Sequence, residues 1–323
     1  MKYRVTDLMW SYRCHNQKYK PTLKSLKMNK NTYLKYPLML LLACHAGLTN
    51  ADVNLSTVQN ISTHKLINIG YRDAPPYSYK TSDGHVTGYV IDLCKDITES
   101  LKKELKISDL TINYVPVPLS MRTTMLNQHI IDMDCSVNTD TVNRENVVLF
   151  SRHYLFVNTR VAVQSGNRVQ SYSDLAGKTV SVARGSSDLV NINELNRVQK
   201  LNILILSQPS MKEAFGMLSD RKCYATIIND VSLRQLVESS GNPAQYKVSE
   251  AVFGAPQNLG IMLRHGDTEF KNIIDKALLA RFERPDFKQF YEQWFNRTLP
   301  GKNINLHIPL TSDMHKYLTR KAS

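Results

Sequence analysis

The chain has 323 residues, 42% hydrophobic and 21% charged, enough for two domains with cores of their own and too ordered in composition for a disordered or repetitive chain. Thirteen Gly and 12 Pro exclude a collagen-like repeat, and no apolar run approaches the roughly 18 to 20 residues of a spanning helix. A formal charge of +13 suggests nucleic acid or an anionic membrane as partner when averaged over the whole chain, but the charge is not evenly spread.

Residues 1–51 hold nine basic side chains, from Lys2 to Lys35, against the single acid Asp7, so this stretch carries +8 and the remaining chain +5. Met28 and Lys30 open a short basic region, Leu38 to Cys44 is an apolar core, and Thr49 and Ala51 are small residues at the −3 and −1 positions of a cleavage site. That order reads as a signal peptide over 28–51, with 1–27 an upstream extension explained by a start at Met28. A rival processing site is the tetrad Leu41 to Cys44, with Cys44 as a lipidated residue, although Leu at its second position is not the favoured type. Cleavage after Ala51 leaves Cys94, Cys135 and Cys223, an odd number without CxxC or a His at metal-ligand spacing, so no metal site is expected. An exported chain can pair two of the three, and spacing does not say which; buried free thiols are the favoured reading.

After Ala51, strand and helix patterns alternate. Leu66 to Gly70 reads as a strand, Gly84 as a hairpin tip, and Val90, Leu93, Cys94, Ile97, Leu101 and Leu105 as the apolar face of a helix. Leu110 to Val115 returns to strand alternation. The same order recurs as strands at 179–182, 202–206 and 225–228, each followed by a helix, near 187–199, 210–219 and 230–239. Strands at 159–163 and 258–263 bracket this second unit. The chain then enters helices whose apolar faces run from Phe270 to Phe282 and from Phe287 to Phe295. The pattern predicts an α/β protein of two lobes, each a mostly parallel sheet flanked by helices, with lobe 2 (159–258) inserted into lobe 1 (64–158 and 259–323) through two hinge strands. Loops at the strand C-terminal ends then face each other around one small molecule.

The segments LINIGYR at 66–72, PYSY at 76–79, GYVID at 88–92, DMDC at 132–135, Asn143-Arg144, DLAGK at 174–178, Trp294-Phe295 and PGKNINL at 300–306 together resemble the periplasmic amino-acid-binding proteins of ABC importers, solute-binding protein family 3, and most of all its glutamate/aspartate-binding branch. The resemblance runs from about residue 64 to the C-terminus and implies the type II periplasmic-binding-protein fold. It places Arg144 where the family's carboxylate-binding arginine sits, five residues after Thr139, a position that supplies hydroxyl and backbone N–H donors. A guanidinium suits that task because its fork pairs both carboxylate oxygens and stays charged. Gly185, Ser186 and Ser187 look like a loop opening a helix, where the resemblance implies free N–H groups and a hydroxyl within reach of the same carboxylate. The bland alternatives are a surface ion pair of Arg144 with Glu145 and a simple helix cap at Ser186 or Ser187.

Arg72 and Arg122 match two arginine positions of the acidic branch and favour an anionic ligand; Tyr77 and Tyr79 read as an apolar wall or as core aromatics. The departures are as informative. Asn229 stands where the family presents an Asp to the α-ammonium, with Asp230 beside it as a substitute or turned away. Leu119, Val137 and Met211 replace polar residues, and each unsatisfied polar group of a ligand costs about 1–3 kcal/mol. A dicarboxylate or amino-acid-like anion lacking a free ammonium suits these positions.

The reading is therefore an extracytoplasmic, monomeric solute-binding protein of the periplasm, without cofactor, that takes a small anionic amino acid or dicarboxylate and delivers it to the membrane permease of an ABC importer. The alternatives are a periplasmic enzyme of the same fold, such as a dehydratase, or a ligand sensor. No nucleophile elbow, HExxH or phosphate loop is present, and basic residues of the body lie among acids instead of forming the stripe that nucleic acid requires.

Overall fold

The computed structural model describes residues 55–320; the upstream extension, the proposed signal peptide at 28–51 and Cys44 lie outside the described residues. A capping box between Ser56 and Gln59 starts α1 (Thr57–His64). There follow β1 (Leu66–Tyr71), the hairpin β2 (Tyr79–Lys80) and β3 (Val86–Thr87), α2 (Tyr89–Leu105), β4 (Thr111–Pro116), α3 (Arg122–Asn127), β5 (Met133–Asp134), α4 (Val142–Glu145), β6 (Val148–Phe150) and β7 (Leu155–Val157). The middle of the chain forms β8 (Thr159–Gln164), β9 (Thr179–Ala183), α5 (Ser187–Gln199), β10 (Leu204–Gln208), α6 (Met211–Ser219), β11 (Ala225–Asn229), α7 (Asp230–Glu238) and β12 (Tyr246–Val248). The end comprises β13 (Gln257–Leu259), β14 (Met262–Arg264), α8 (Thr268–Phe282), α9 (Phe287–Phe295) and α10 (Ser312–Thr319).

These strands build two five-stranded sheets, ordered β4-β1-β5-β14-β6 and β10-β9-β11-β8-β12. In each, four strands run one way and the fifth, β14 or β8, runs against them. The two opposed strands have a common cause: each follows directly on a passage between the sheets and enters its own sheet from the other lobe. The passages themselves, β7 and β13, pair antiparallel with Leu155 opposite Leu259 and Val157 opposite Gln257. This two-stranded ribbon is the hinge. The apolar run at 258–263 is accordingly not one strand: it breaks near Gly260 into a hinge piece and a sheet piece.

The apolar stripe of α2 is fully buried at Val90, Leu93, Cys94, Ile97 and Leu101 and packs with α8 and α9 into the larger core, where Tyr89 meets Phe295 at 5.0 Å between ring centroids. Gly88 is needed to start α2: its φ is +134°, and a Cβ there meets the Tyr77 carbonyl oxygen at 2.3 Å. The second sheet carries apolar clusters on both faces, around Val180 and Ile227 and around Phe215 and Leu233. Its helices α5, α6 and α7 begin on Ser186, Ser210 and Asn229, whose side-chain oxygens accept the N–H of Leu189, Glu213 and Ser232. All three helices therefore start at strand C-terminal ends.

Cys94 and Cys135 form a disulfide with Cα atoms 6.5 Å apart, which corrects the expectation of free thiols. The pairing is produced by tertiary structure: α2 lies over β1, and Cys135 follows β5, the neighbour of β1 in the sheet. Cys223 is a buried free thiol. Among the described residues no helix is long and apolar enough to cross a membrane.

Candidate functional site

The loops between the two sheets meet in a closed configuration. Arg122, the first residue of α3, is 4% exposed; it donates through Nη1 to the Leu119 carbonyl at 2.9 Å and through Nη2 to the Gly185 carbonyl at 3.1 Å. Arg144, on the single turn α4, donates through Nη1 to the Thr139 carbonyl at 2.6 Å and through Nη2 to the same Gly185 carbonyl at 3.0 Å. Two guanidiniums of the first lobe thus converge on one oxygen at the mouth of α5 in the second. Burial lowers the pKa of both, Arg122 well below its ordinary value and Arg144 to about 10. For Arg144 the nearby Arg72 adds repulsion; for Arg122, Arg144 and then Arg72 do. An anion between them relieves that repulsion. Carboxylate binding is therefore expected to be flat in pH through the neutral range, where both guanidiniums stay charged; titration calorimetry across that range checks it.

Glu145 is not the partner of Arg144. It is exposed, and Asp140 beside it raises its carboxyl, the opposite of what a guanidinium does. Thr139 Oγ1 donates to Gln257 Oε1 at 2.9 Å, and Ser187 Oγ donates to the same oxygen at 3.1 Å and lies 3.3 Å from Thr139 Oγ1. The cavity enclosed by Arg122, Thr139, Arg144, Ser187, Asn229 and Gln257 has about 10 Å³ of free volume in this geometry. That is room for about one water.

Gly185 lets the lobes approach this far. Its φ is +82°, and a Cβ on it lies 3.1 Å from the Ser120 Cα. Gly185→Ala is expected to add about 1–2 kcal/mol of backbone strain and to hold the lobes apart, weakening ligand affinity roughly tenfold; calorimetry with small-angle scattering of the liganded protein checks both effects.

The other sequence-proposed residues are placed less simply. Arg72, directly after β1, pairs with Asp134 at 2.8 Å and donates to the Val137 carbonyl at 3.1 Å and to Asn138 Oδ1 at 2.7 Å, so its guanidinium is held by its own lobe at the edge of the cleft. Ser186 caps α5 and donates to the Ala183 carbonyl at 2.8 Å. Asn229 lines the cavity, but its Oδ1 already accepts from Ser232 N–H at 2.9 Å and from the Tyr77 hydroxyl at 3.3 Å, which leaves the amide N–H donors. Asp230 is turned to the hinge: its Oδ2 accepts from Asn158 Nδ2 at 3.2 Å, and it does not line the cavity. Tyr77 and Tyr79 are fully buried; Tyr77 bridges the lobes through Asn229, and Tyr79 packs edge-on against Trp294.

Two participants escape the sequence reading. Gln257, on the hinge strand β13, ties Thr139 and Ser187 to Thr159, and Asp188, on the first turn of α5, accepts from Thr159 Oγ1 at 2.8 Å and from Gln257 Nε2 at 3.0 Å. Burial raises the Asp188 carboxyl, and the hydrogen bonds from Thr159 and Gln257 and the charge of nearby Arg144 offset this only in part. Polar residues adjoining both crossing strands, Thr159 and Gln257, are the one sequence signal that points to this network.

Residues 67–297 match the family of bacterial extracellular solute-binding proteins, family 3. A glutamate/aspartate import solute-binding protein of Escherichia coli (strain K12) is 28% identical over 284 residues, covering 85% of this chain and 93% of that protein. An L-glutamate/L-aspartate-binding protein of Pseudomonas aeruginosa is 29% identical over 273 residues, covering 83% and 89%. Among solved structures, a cysteine-binding protein from Campylobacter jejuni superposes with a TM-score of 0.66 at 24% identity, covering 74% of this chain and 93% of that one; these similarities establish the two-lobed fold.

Proposed function

The chain belongs to the bacterial extracellular solute-binding proteins of family 3, and on that premise we propose that it captures a small carboxylate between its lobes and delivers it to the membrane permease of an ABC importer. The ligand class is an anionic amino acid of the glutamate/aspartate kind or a related dicarboxylate. The observation that carries this reading is the convergence of Arg122 and Arg144 on the Gly185 carbonyl, an oxygen of partial negative charge where a carboxylate oxygen fits. Glutamate/aspartate-binding relatives at 28–29% identity support the acidic amino acid. Asn229 supports the dicarboxylate, because its carbonyl oxygen is already taken and its remaining groups donate.

In this reading the lobes comprise 64–158 with 259–323, and 159–258, and the hinge ribbon of β7 and β13 lets them close on the ligand, so that ligand shifts an open–closed equilibrium. The protein is non-catalytic and monomeric and reaches the periplasm through a cleaved signal peptide. Thermal unfolding with glutamate, aspartate and dicarboxylates tests it. At a hundred times the dissociation constant the gain is about 2.7 kcal/mol, a shift of several degrees; no shift with any of these anions overturns the reading.

A further inference from the structure

The arginine-lined cavity adjoins a much larger space. Between the lobes lies a cleft of about 910 Å³ whose wall is mainly apolar, within the size range of small-molecule sites. Leu119, Val137 and Met211 line both the small cavity and this cleft, so the two spaces meet across three apolar side chains. Beyond them the wall includes Pro75, Pro116, Pro118, Pro209 and Leu236. Prolines have no backbone N–H to offer, and although Arg72, Ser210, Ser232 and Gln235 also line the cleft, its exposed wall is mainly apolar. Both lobes contribute to the wall, and at its outer rim Lys212 of α6 comes within 3.9 Å of Asp73 across the gap. Lys80 and Lys302 also line it, which adds basic side chains to the wall.

We propose that the ligand is an elongated carboxylate: one carboxylate binds at Arg122 and Arg144, and an apolar body runs past Leu119, Val137 and Met211 into the proline-walled cleft. The inference rests on the carboxylate reading above and adds where the rest of the ligand lies. The volumes argue for it, since the arginine cavity has about 10 Å³ to spare and the adjoining cleft about 910 Å³. Chemistry argues for it too, because apolar wall is stabilised by covering with apolar ligand and not by a polar one. Met211, unbranched and partly exposed, is suited to moving aside as such a body enters.

Calorimetric titration with the straight-chain dicarboxylates succinate, glutarate, adipate and suberate tests the proposal on the full mature protein and on Leu119→Ser and Met211→Gln. Affinity is expected to rise along the series by about fourfold per added methylene buried, and the rise, taken relative to succinate in the same protein, is expected to flatten in the two variants. Met211→Gln, at a partly exposed helix start, guards against a folding defect at the more buried Leu119. Affinity that is flat or falls with length while succinate or glutamate still binds overturns the elongated ligand and leaves the carboxylate reading standing. A rise unchanged in both variants overturns the path past these side chains. No binding by any member of the series or by glutamate overturns both readings together.

Discussion

Replacing Arg144 with methionine is expected to weaken carboxylate binding by about 2–5 kcal/mol, roughly thirtyfold to several thousandfold, while the melting temperature of the ligand-free protein stays the same or rises. The two halves of this expectation have one origin. Arg144 is mostly buried and is repelled by Arg72, and burying a charge without an opposite charge in contact costs stability that an apolar side chain of similar volume does not. Methionine gives up two hydrogen bonds to the Thr139 and Gly185 carbonyls, each worth about 1.5–3 kcal/mol for a charged donor, but removes that desolvation. A residue kept for structure would show the reverse, a fall in stability with affinity preserved. Calorimetry and thermal unfolding of the same variant separate the cases, and affinity within threefold of wild type would remove Arg144 from the site. Arg122→Met is expected to behave alike, since Arg122 shares the Gly185 oxygen and its Nε has no hydrogen-bond partner among the described residues.

What sequence could reveal here depended on how local the determinants are. The helices after β9, β10 and β11 were legible because Ser186, Ser210 and Asn229 are cap residues ahead of apolar periodicity, and α5 spans the residues 187–199 expected of it. The long stripe of α2 was legible for the same reason. Strands β5, β6, β7 and β12 were not, because two or three residues carry no period to read. The start of β10 shifted to Leu204 because Lys200 and Asn202 both take left-handed conformations, φ +51° and +54°, on leaving α5. In the site, arginines at strand and helix ends stood out as residue types suited to carboxylates. Their partners did not: Asp134 lies 62 residues after Arg72, and Gln257 lies 118 residues after Thr139. The direction of Asp230 is set by Asn158 on the hinge, which neighbours it only once β11 has paired with β8. A side chain's chemistry can be read along the chain, whereas its orientation belongs to contacts the chain makes later.

Removing the Cys94–Cys135 bridge is expected to lower stability by about 4 kcal/mol, since it closes a loop with a sequence separation of 41; for a chain of this size that is a fall of about 10 °C in melting temperature. The double variant Cys94→Ala with Cys135→Ala gives the measurement, and reductant should lower the melting temperature of the wild type but not of the variant. Cys223→Ala, which removes the buried free thiol among the described residues, is expected to leave the response to reductant as it was. Ligand affinity should change far less than stability. Cys135 leads into the segment that carries Val137 and Thr139, but that segment has further anchors: the Tyr154 hydroxyl donates to the Ser136 carbonyl at 2.7 Å, Ser78 Oγ donates to Ser136 Oγ at 2.8 Å, and Arg72 donates to Val137 and Asn138. Once folded, the segment is held without the bridge, so the disulfide acts chiefly by restricting the unfolded chain. A melting temperature indifferent to reductant would place both sulfurs as free thiols in the protein, and a matching collapse of affinity would make the bridge part of the binding loop's own geometry.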